Sequence, residues 1–358
     1  MMRILLDCRM ADWSGVGRYT TGLVRALAAR GDLELIQVVA AGGSAPVPGA
    51  QVVYATAHPF TPAGGLEFGR IARRVAPDVT HCLHFPTPVP APHPLVVTVH
   101  DLTPLVVKGA MPVFPHGMGY RVWTSRMART ADRVITDASF TAREVARFFP
   151  NLAHRITPIA LAADDFILGS VEALPLSAAG SRYILSMGNT KPHKDLPTLL
   201  RAFETISARR PDVGLMLVGT EVPGFVASVL ADAPRIAARV RFTGRVSDPE
   251  LRALYAGASV FAFPSTYEGF GLPPLEAMGL GTPVVCADAA SLPEVVGDAA
   301  ITFPAGDAEA LSRALASVLD DPTVGERLRV RGTARAATFT WARTGGETLA
   351  VYTEVASR

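Results

Sequence analysis

Lysine is nearly missing from this chain. Of its 358 residues 34 are basic, and 31 of these are arginine, which leaves only Lys108, Lys191 and Lys194. Against 32 acids the formal net charge is +2, so the chain has no overall electrostatic footprint for wrapping nucleic acid. Cysteine is scarce as well. Cys8, Cys82 and Cys286 lie far apart with no Cys-x-x-Cys spacing, which argues against zinc or redox chemistry and reads as three small buried hydrophobes. No uninterrupted apolar run reaches the roughly 18 to 20 residues of a membrane span. Met1–Asp7, one arginine and a short apolar run closing on an acid, reads as a first strand and not as a signal peptide. Together these absences imply a soluble protein of a reducing cytoplasm. Hydrophobic residues are plentiful, 49% against 18% charged, which excludes disorder, and the length suits two domains that each bury a core.

Short apolar runs alternate with longer stretches of helical period, the pattern of strands buried on both faces and joined by crossover helices. The class is α/β. In the first half, strands are expected at Arg3–Asp7, Glu34–Ala40, Gln51–Tyr54, Asp78–His84, Leu95–His100 and Asp132–Thr136. In the second half they are expected at Tyr183–Met187, Gly214–Val218, Val240–Thr243, Val260–Phe263, Pro283–Ala287 and Ala300–Phe303. Residues 162–181 have no sustained period and read as a linker. The expected organisation is a first domain over residues 1–165, a second over 166–340, and a terminal helix near 341–358 that packs back on the first. Two doubly wound parallel sheets arranged in this way would leave a cleft at the carboxyl ends of their strands, where ligands bind.

Four stretches could carry chemistry. Gly15-Val-Gly17-Arg18 follows a strand and opens a helix, so its amides could hold an anion; a tight turn that needs glycine explains it equally well. His100-Asp101 closes an all-apolar strand, as a binding pair or as a structural histidine with an aspartate capping the next turn. Asn189-Thr-Lys191-Pro-His-Lys194 places two of the three lysines in one loop after a strand, which suits a diphosphate better than surface chance does. The most informative run is Glu268-Gly-Phe270-Gly271-Leu272-Pro-Pro-Leu-Glu276. Its glycines permit close backbone approach, and the amides of Phe270, Gly271 and Leu272 at a helix start would cradle phosphate. The two carboxylates could hold hydroxyls at either end of a sugar-containing ligand. The bland alternative has Glu276 facing solvent and Glu268 capping the turn.

The run from Glu268 to Glu276, continued as Ala-Met-Gly-Leu-Gly-Thr-Pro-Val-Val, resembles the Glu-x7-Glu signature of family 4 retaining glycosyltransferases, which have the GT-B fold of two Rossmann-like domains. Matches at the Gly15 loop, at Val99-His-Asp-Leu-Thr-Pro104, at Gly188–Lys194 and at Val240–Glu250 extend the resemblance over nearly the whole chain. It implies that the first domain binds the acceptor and the second the nucleotide sugar. It further implies that Glu276 binds the ribose, Glu268 the donor sugar, and Lys194 the diphosphate leaving group. Phe270, Gly271 and Leu272 would hold sugar and phosphates, and the backbone at Arg245 and Val246 would meet the base. His100 would sit beside the transferred sugar, and Gly15 and Gly17 near the diphosphate. Asn189 stands where many relatives have arginine, so either Lys191 substitutes or backbone amides hold the phosphate. No Asp-x-Asp occurs, so a metal clamp has no visible ligands, and no metal or other cofactor is expected.

The expected partners are a nucleotide diphosphate sugar, with GDP-mannose the first candidate, and a hydroxyl acceptor such as a glycan, a lipid-linked saccharide or a small metabolite. The resemblance is nearest to bacterial mannosyl- and rhamnosyltransferases of surface polysaccharides. A nicotinamide oxidoreductase would need a full glycine fingerprint and a ribose-binding acid, and both are missing. A catalytically silent sugar-nucleotide-binding subunit is the remaining alternative. Residues 112–133 mix aromatics with four arginines, the ingredients of a helix lying on the inner face of a membrane, although such a stripe more often packs on its own sheet.

Overall fold

The computed structural model describes residues 1–357 except 14, 108–117, 172–181, 188–189, 221–223, 226–227 and 229–233. The chain divides into two compact units, residues 1–162 with 339–358, and residues 163–338. Unit 1 runs β1 (Met2–Asp7), α1 (Val16–Ala28), β2 (Leu33–Ala40), β3 (Gln51–Ala55), α2 (Pro62–Val75), β4 (Val79–Cys82), β5 (Leu95–Val99), α3 (Thr103–Val106), α4 (Met118–Thr130), β6 (Arg133–Thr136), α5 (Ser139–Phe148) and β7 (Ile156–Pro158). Unit 2 runs α6 (Asp164–Ile167), β8 (Arg182–Met187), α7 (Leu196–Arg209), β9 (Val213–Val218), α8 (Pro234–Ala237), β10 (Val240–Phe242), α9 (Asp248–Gly257), β11 (Val260–Phe263), α10 (Leu272–Gly279), β12 (Val284–Ala287), α11 (Leu292–Val296), β13 (Ile301–Phe303), α12 (Ala308–Asp320) and α13 (Pro322–Ala336). The last helix, α14 (Trp341–Ala356), packs on α1 of unit 1.

Both sheets are parallel throughout, in the orders β3-β2-β1-β4-β5-β6-β7 and β10-β9-β8-β11-β12-β13. Central strands such as β5 (LVVTV) and β11 (VFAF) are buried along their whole length, as β-branched and aromatic runs covered by helices on both faces require. Each sheet reverses its winding order once, between β1 and β4 in unit 1 and between β8 and β11 in unit 2. At such a reversal the loops leaving the carboxyl ends of two adjacent strands diverge, and the gap between them is the natural place for a ligand.

Three expectations change. Ile156–Pro158 is a seventh strand of unit 1, too short and too poorly buried to show a period. Pro322–Ala336 is a helix that the sequence pattern leaves unmarked because few of its side chains are buried. Of the expected linker 162–181, residues 172–181 lie outside the described residues, and residues 163–170 are no free linker. Phe166 is buried, and Arg252 of α9 donates to the carbonyl oxygens of Ser170 at 2.5 Å and Phe166 at 3.4 Å, which pins this segment to unit 2. Along α4 the apolar stripe Tyr120, Trp123, Met127 and Ala128 joins the unit 1 core, so it is taken up by the protein's own sheet. Among the described residues no helix is long and apolar enough to cross a membrane.

A close helix pairing sits where α14 crosses α1. A Cβ built on Gly22 would fall 2.1 Å from Cε2 of Trp341, whose ring is buried. Gly22→Ala therefore sets two effects against each other: a helix-propensity gain of about 1 kcal/mol and an overpacking cost of about 1–3 kcal/mol because a large ring has to move. Overpacking is expected to win. Urea unfolding should show a net loss of stability, and a gain would mean that α14 is held less tightly than this contact implies.

Candidate active site

Unit 2 assembles its polar residues at its winding reversal. Lys194 ends a short turn, Pro192–Lys194, in the loop after β8, and Glu268 lies in the loop after the adjacent strand β11. The Lys194 ammonium donates to Glu268 Oε1 at 2.5 Å and lies 5.3 Å from the centre of the Phe263 ring, with both charged side chains more than four-fifths buried. The two loops are latched through one carbonyl oxygen. That of His193 accepts from Thr266 N–H at 2.7 Å, from Ser265 Oγ at 3.1 Å and from Thr266 Oγ1 at 3.2 Å. Ser291 braces the far side of the glutamate loop by donating to the carbonyl of Phe270 or Glu268, at 2.6 and 2.9 Å.

Glu276 is on α10 and 3% exposed, and its Oε2 accepts from the buried Tyr255 hydroxyl at 3.1 Å. It does not face solvent. Nor does Glu268 cap the turn, because the residue at the cap of α10 is Gly271, with φ of 117° and no side-chain capping bond. Pro273 and Pro274 carry no N–H, so the amides this helix start can offer a ligand come from the Gly271–Leu272 side of the turn. Phe270 and Gly271 are buried, and Leu272 is half-buried. Lys191, the other lysine of the loop, is exposed, and Asn189 and Gly188 lie outside the described residues. Arg245, exposed, and Val246, half-buried, follow β10 at the same carboxyl edge, where Gly244 N–H bonds the carbonyl of Gly219 at 3.1 Å.

Unit 1 presents a different chemistry at its own carboxyl edge. His100, just past β5, has both ring nitrogens engaged: Nδ1 meets Asp137 Oδ2 at 2.8 Å and Nε2 faces the carbonyl of Leu83 at 3.0 Å. Two acceptors, one of them a carboxylate, are best satisfied by the doubly protonated ring. Burial alone would favour the neutral form. The charge and hydrogen bond of Asp137, then the Leu83 carbonyl and Asp101, outweigh it and raise the His100 pKa above its ordinary value. Asp101 caps the following turn, its Oδ1 accepting from Thr103 N–H at 2.7 Å. The structural role weighed for this pair is thus present, and any substrate contact must be made by a ring already held at both ends.

Behind His100 a buried chain of polar groups runs to the terminal helix. Tyr352 of α14 meets His81 Nδ1 at 2.6 Å, His81 Nε2 meets Thr98 Oγ1 at 2.8 Å, and Thr98 meets the Tyr19 hydroxyl at 2.8 Å. The Tyr19 ring stands edge-on to His100 at 4.8 Å. Burial, helped by the charge on His100, holds the His81 pKa down at about 3. In the first loop, Gly15 has φ of 61°, and Gly17 lets the chain fold onto itself, since a Cβ there would fall 2.2 Å from the carbonyl oxygen of Ala11. The Gly17 N–H is already committed to the carbonyl of Trp13 at 2.8 Å, so Gly17 supplies close approach and not an open amide. Tyr255, Ser291, Asp137 and Tyr19 all come from elements remote in sequence from the residues they hold, and no spacing rule could have found them.

Residues 13–164 match the family model for Glycosyltransferase Family 4, and residues 175–336 that for Glycosyl transferases group 1. The chain is 36% identical over 233 residues to O-antigen chain mannosyltransferase B of Escherichia coli, covering 62% of this chain and 61% of that one. It is 32% identical over 252 residues to the MMP alpha-(1->4)-mannosyltransferase of Mycolicibacterium hassiacum, covering 69% and 60%. The match thus spans less than two thirds of either relative's length. Among solved structures it resembles sucrose-phosphate synthase from Thermosynechococcus elongatus, with TM-score 0.79 and 21% identity over 100% of both chains. It also resembles HepE of Anabaena in complex with UDP and glucose, with TM-score 0.75 and 19% identity over 99% and 100%. At these identities the structural matches establish the fold.

The His100–Asp137 pair carries a pH signature with a definite sign. A histidine whose folded pKa is raised stabilises the fold fully below its unfolded value of about 6.5, and that stabilisation is lost as pH rises through the raised pKa. His81 and His84, whose pKa values are depressed, act in the acid range below about 6.5, and the buried thiols Cys8, Cys82 and Cys286, pushed up by burial, act only above about 8.5, so the interval from about 6.5 to 8 belongs to His100 and is the one in which the two proteins are compared. Urea unfolding across that interval should show a loss of stability in the native chain that is missing in Asp137→Asn. Identical pH profiles for the two proteins would refute the ion pair.

Proposed function

We propose that this chain, which belongs to glycosyltransferase family 4 and has the GT-B fold, transfers a hexose from a nucleotide diphosphate sugar to a hydroxyl acceptor, with retention at the anomeric carbon and without a metal ion. The observation that carries this reading is the Lys194–Glu268 pair at the unit 2 winding reversal, eight residues before the buried Glu276. Unit 2 takes the donor. Glu276, oriented by Tyr255, accepts hydrogen bonds from the ribose, and Glu268 accepts from hydroxyls of the sugar. Lys194 and the positive start of α10 meet the diphosphate, with Lys191 nearby, and the backbone at Arg245 and Val246 meets the base. Unit 1 takes the acceptor, and His100 offers an oriented imidazolium edge to the substrates.

In the reaction the bond from the anomeric carbon to the diphosphate oxygen breaks, and the acceptor oxygen bonds that carbon on the same face. The acceptor proton passes to the departing phosphate. Such a step asks little of a protein base and much of charge stabilisation at the leaving group, which a fixed ammonium and a helix start provide without reorganising. The names of the relatives favour mannose, and GDP-mannose is the proposed donor. The neighbour solved with UDP makes a UDP-sugar the comparison to run. Three buried, unpaired cysteines suit work in a reducing cytoplasm.

A thermal-shift panel of nucleotide sugars should raise the melting temperature of the native chain most with its own donor. Lys194→Ala and Glu276→Ala should each lower transfer about 100-fold while remaining folded. Near-native turnover in both variants would sink the site assignment. A donor that binds without being turned over would instead mark a silent sugar-nucleotide-binding subunit.

A further inference from the structure

The structure assigns to unit 1 a saccharide-binding platform built on Trp13, and we infer that the acceptor is a sugar whose ring lies flat on that indole. This rests on the glycosyltransferase reading and adds to it the chemical class of the acceptor. Trp13 lies in the loop after β1, His58 and Phe60 in the loop after β3, and His84 just past β4, so all come from the carboxyl edge of one parallel sheet. Their rings form a ladder. Trp13 is stacked on Phe60 at 5.8 Å and 10°, with His58 5.9 Å from both. Phe60 meets His84 edge-on at 5.6 Å, and His84 meets His100 edge-on at 5.5 Å. A continuous aromatic path therefore leads from an indole that is 42% exposed to the histidine at the centre of unit 1's polar site.

Single exposed aromatics are ordinary. Tyr54 is 62% exposed but stands on a sheet-edge strand and makes no ring contact among the described residues. Trp13 differs because its backing is rigid. Its backbone N–H donates to the carbonyl of Met10 at 3.0 Å, and its backbone carbonyl accepts from Gly17 N–H at 2.8 Å. Thr61 ties down the partner loop by donating its hydroxyl to the carbonyl of His58 at 2.7 Å. A surface fixed in this way loses little freedom when a ligand lands on it.

The chemistry around the ring selects a sugar over a lipid chain or an apolar protein face. One face of a pyranose is a set of C–H bonds with partial positive charge, which complements the negative face of an indole. Its rim is hydroxyl, which needs both donors and acceptors when it leaves water. Asp12, exposed and adjacent in sequence, is an acceptor. His58 Nδ1 accepts from Phe60 N–H at 3.3 Å, which puts the ring hydrogen on Nε2 of an exposed side chain and makes it a donor. Apolar chains would find these polar groups interrupting the surface they need.

Trp13 is the exposed tryptophan of three, since Trp123 and Trp341 are 8% and 6% exposed, so iodide quenching of tryptophan emission reads it selectively. An α-linked mannose disaccharide should shield the native chain from iodide and should have no such effect on Trp13→Phe, which lacks the reporter. In transfer assays Trp13→Ala should raise the acceptor KM about tenfold and leave the donor KM within about twofold, and Trp13→Phe should recover most of the loss. The platform is overturned if the disaccharide gives no protection, or if Trp13→Ala shifts donor and acceptor constants together. Should no nucleotide sugar be turned over at all, the glycosyltransferase reading falls, while the quenching experiment still decides whether unit 1 binds sugar.

Discussion

A single ion pair, between the Lys194 ammonium and the Glu268 carboxylate, is the constraint around which unit 2 is arranged. The two residues are 74 positions apart, and they meet because β8 and β11 are neighbours in a parallel sheet whose order reverses between them. Both side chains are largely withdrawn from water, so each charge needs the other while no ligand is bound. The latch from Ser265 and Thr266 to the His193 carbonyl holds the two loops in register. On the proposed reading, a diphosphate would find here a cation that is already largely desolvated, in the loop facing Glu268, which itself precedes the α10 helix start. The proposed role would give the scarcity of lysine a local meaning, since two of the three lysines lie in this loop while arginine serves nearly everywhere else.

Unit 1 works by the opposite device. Its histidine is locked on both ring nitrogens, and the groups behind it, from Tyr19 through Thr98 and His81 to Tyr352, form a buried hydrogen-bonded chain anchored in the terminal helix. The last helix of the chain thereby supports the carboxyl edge of the first sheet. Gly22 makes this possible, because only a residue without a side chain lets the Trp341 ring lie against α1. The same edge carries the ring ladder that ends at Trp13, so a stiff, polar-backed surface and an exposed apolar ring occur together.

Much of this was legible in the sequence, for definite physical reasons. Buried parallel strands such as Leu95–Val99 and Val260–Phe263 are uninterrupted apolar runs, and the alternation of such runs with helical periods specifies a doubly wound sheet. Glu268 and Glu276 could be read because the glycines and prolines between them dictate a turn and a helix start within one short segment. What stayed hidden depends on distance along the chain. Nothing near Glu276 announces Tyr255, and nothing near His100 announces Asp137 or Tyr19, since these contacts exist only once the sheets are wound. Ile156–Pro158 gives no sequence signal because three residues, none fully buried, carry no period, and Pro322–Ala336 gives little because a largely solvated helix carries only a weak one. The segment at 163–170 looked like a linker because its anchor, Phe166 held by Arg252, is a tertiary contact.

The claim that the Lys194 site reads a diphosphate is tested most directly by comparing a nucleoside diphosphate with the corresponding monophosphate by calorimetry. The native chain should bind GDP at least about tenfold more tightly than GMP, one charge-assisted contact being worth about 1.5–3 kcal/mol. In Lys194→Ala that preference should collapse while GMP binding is retained. A GDP-to-GMP ratio unchanged by the substitution would contradict the placement of the leaving group at Lys194.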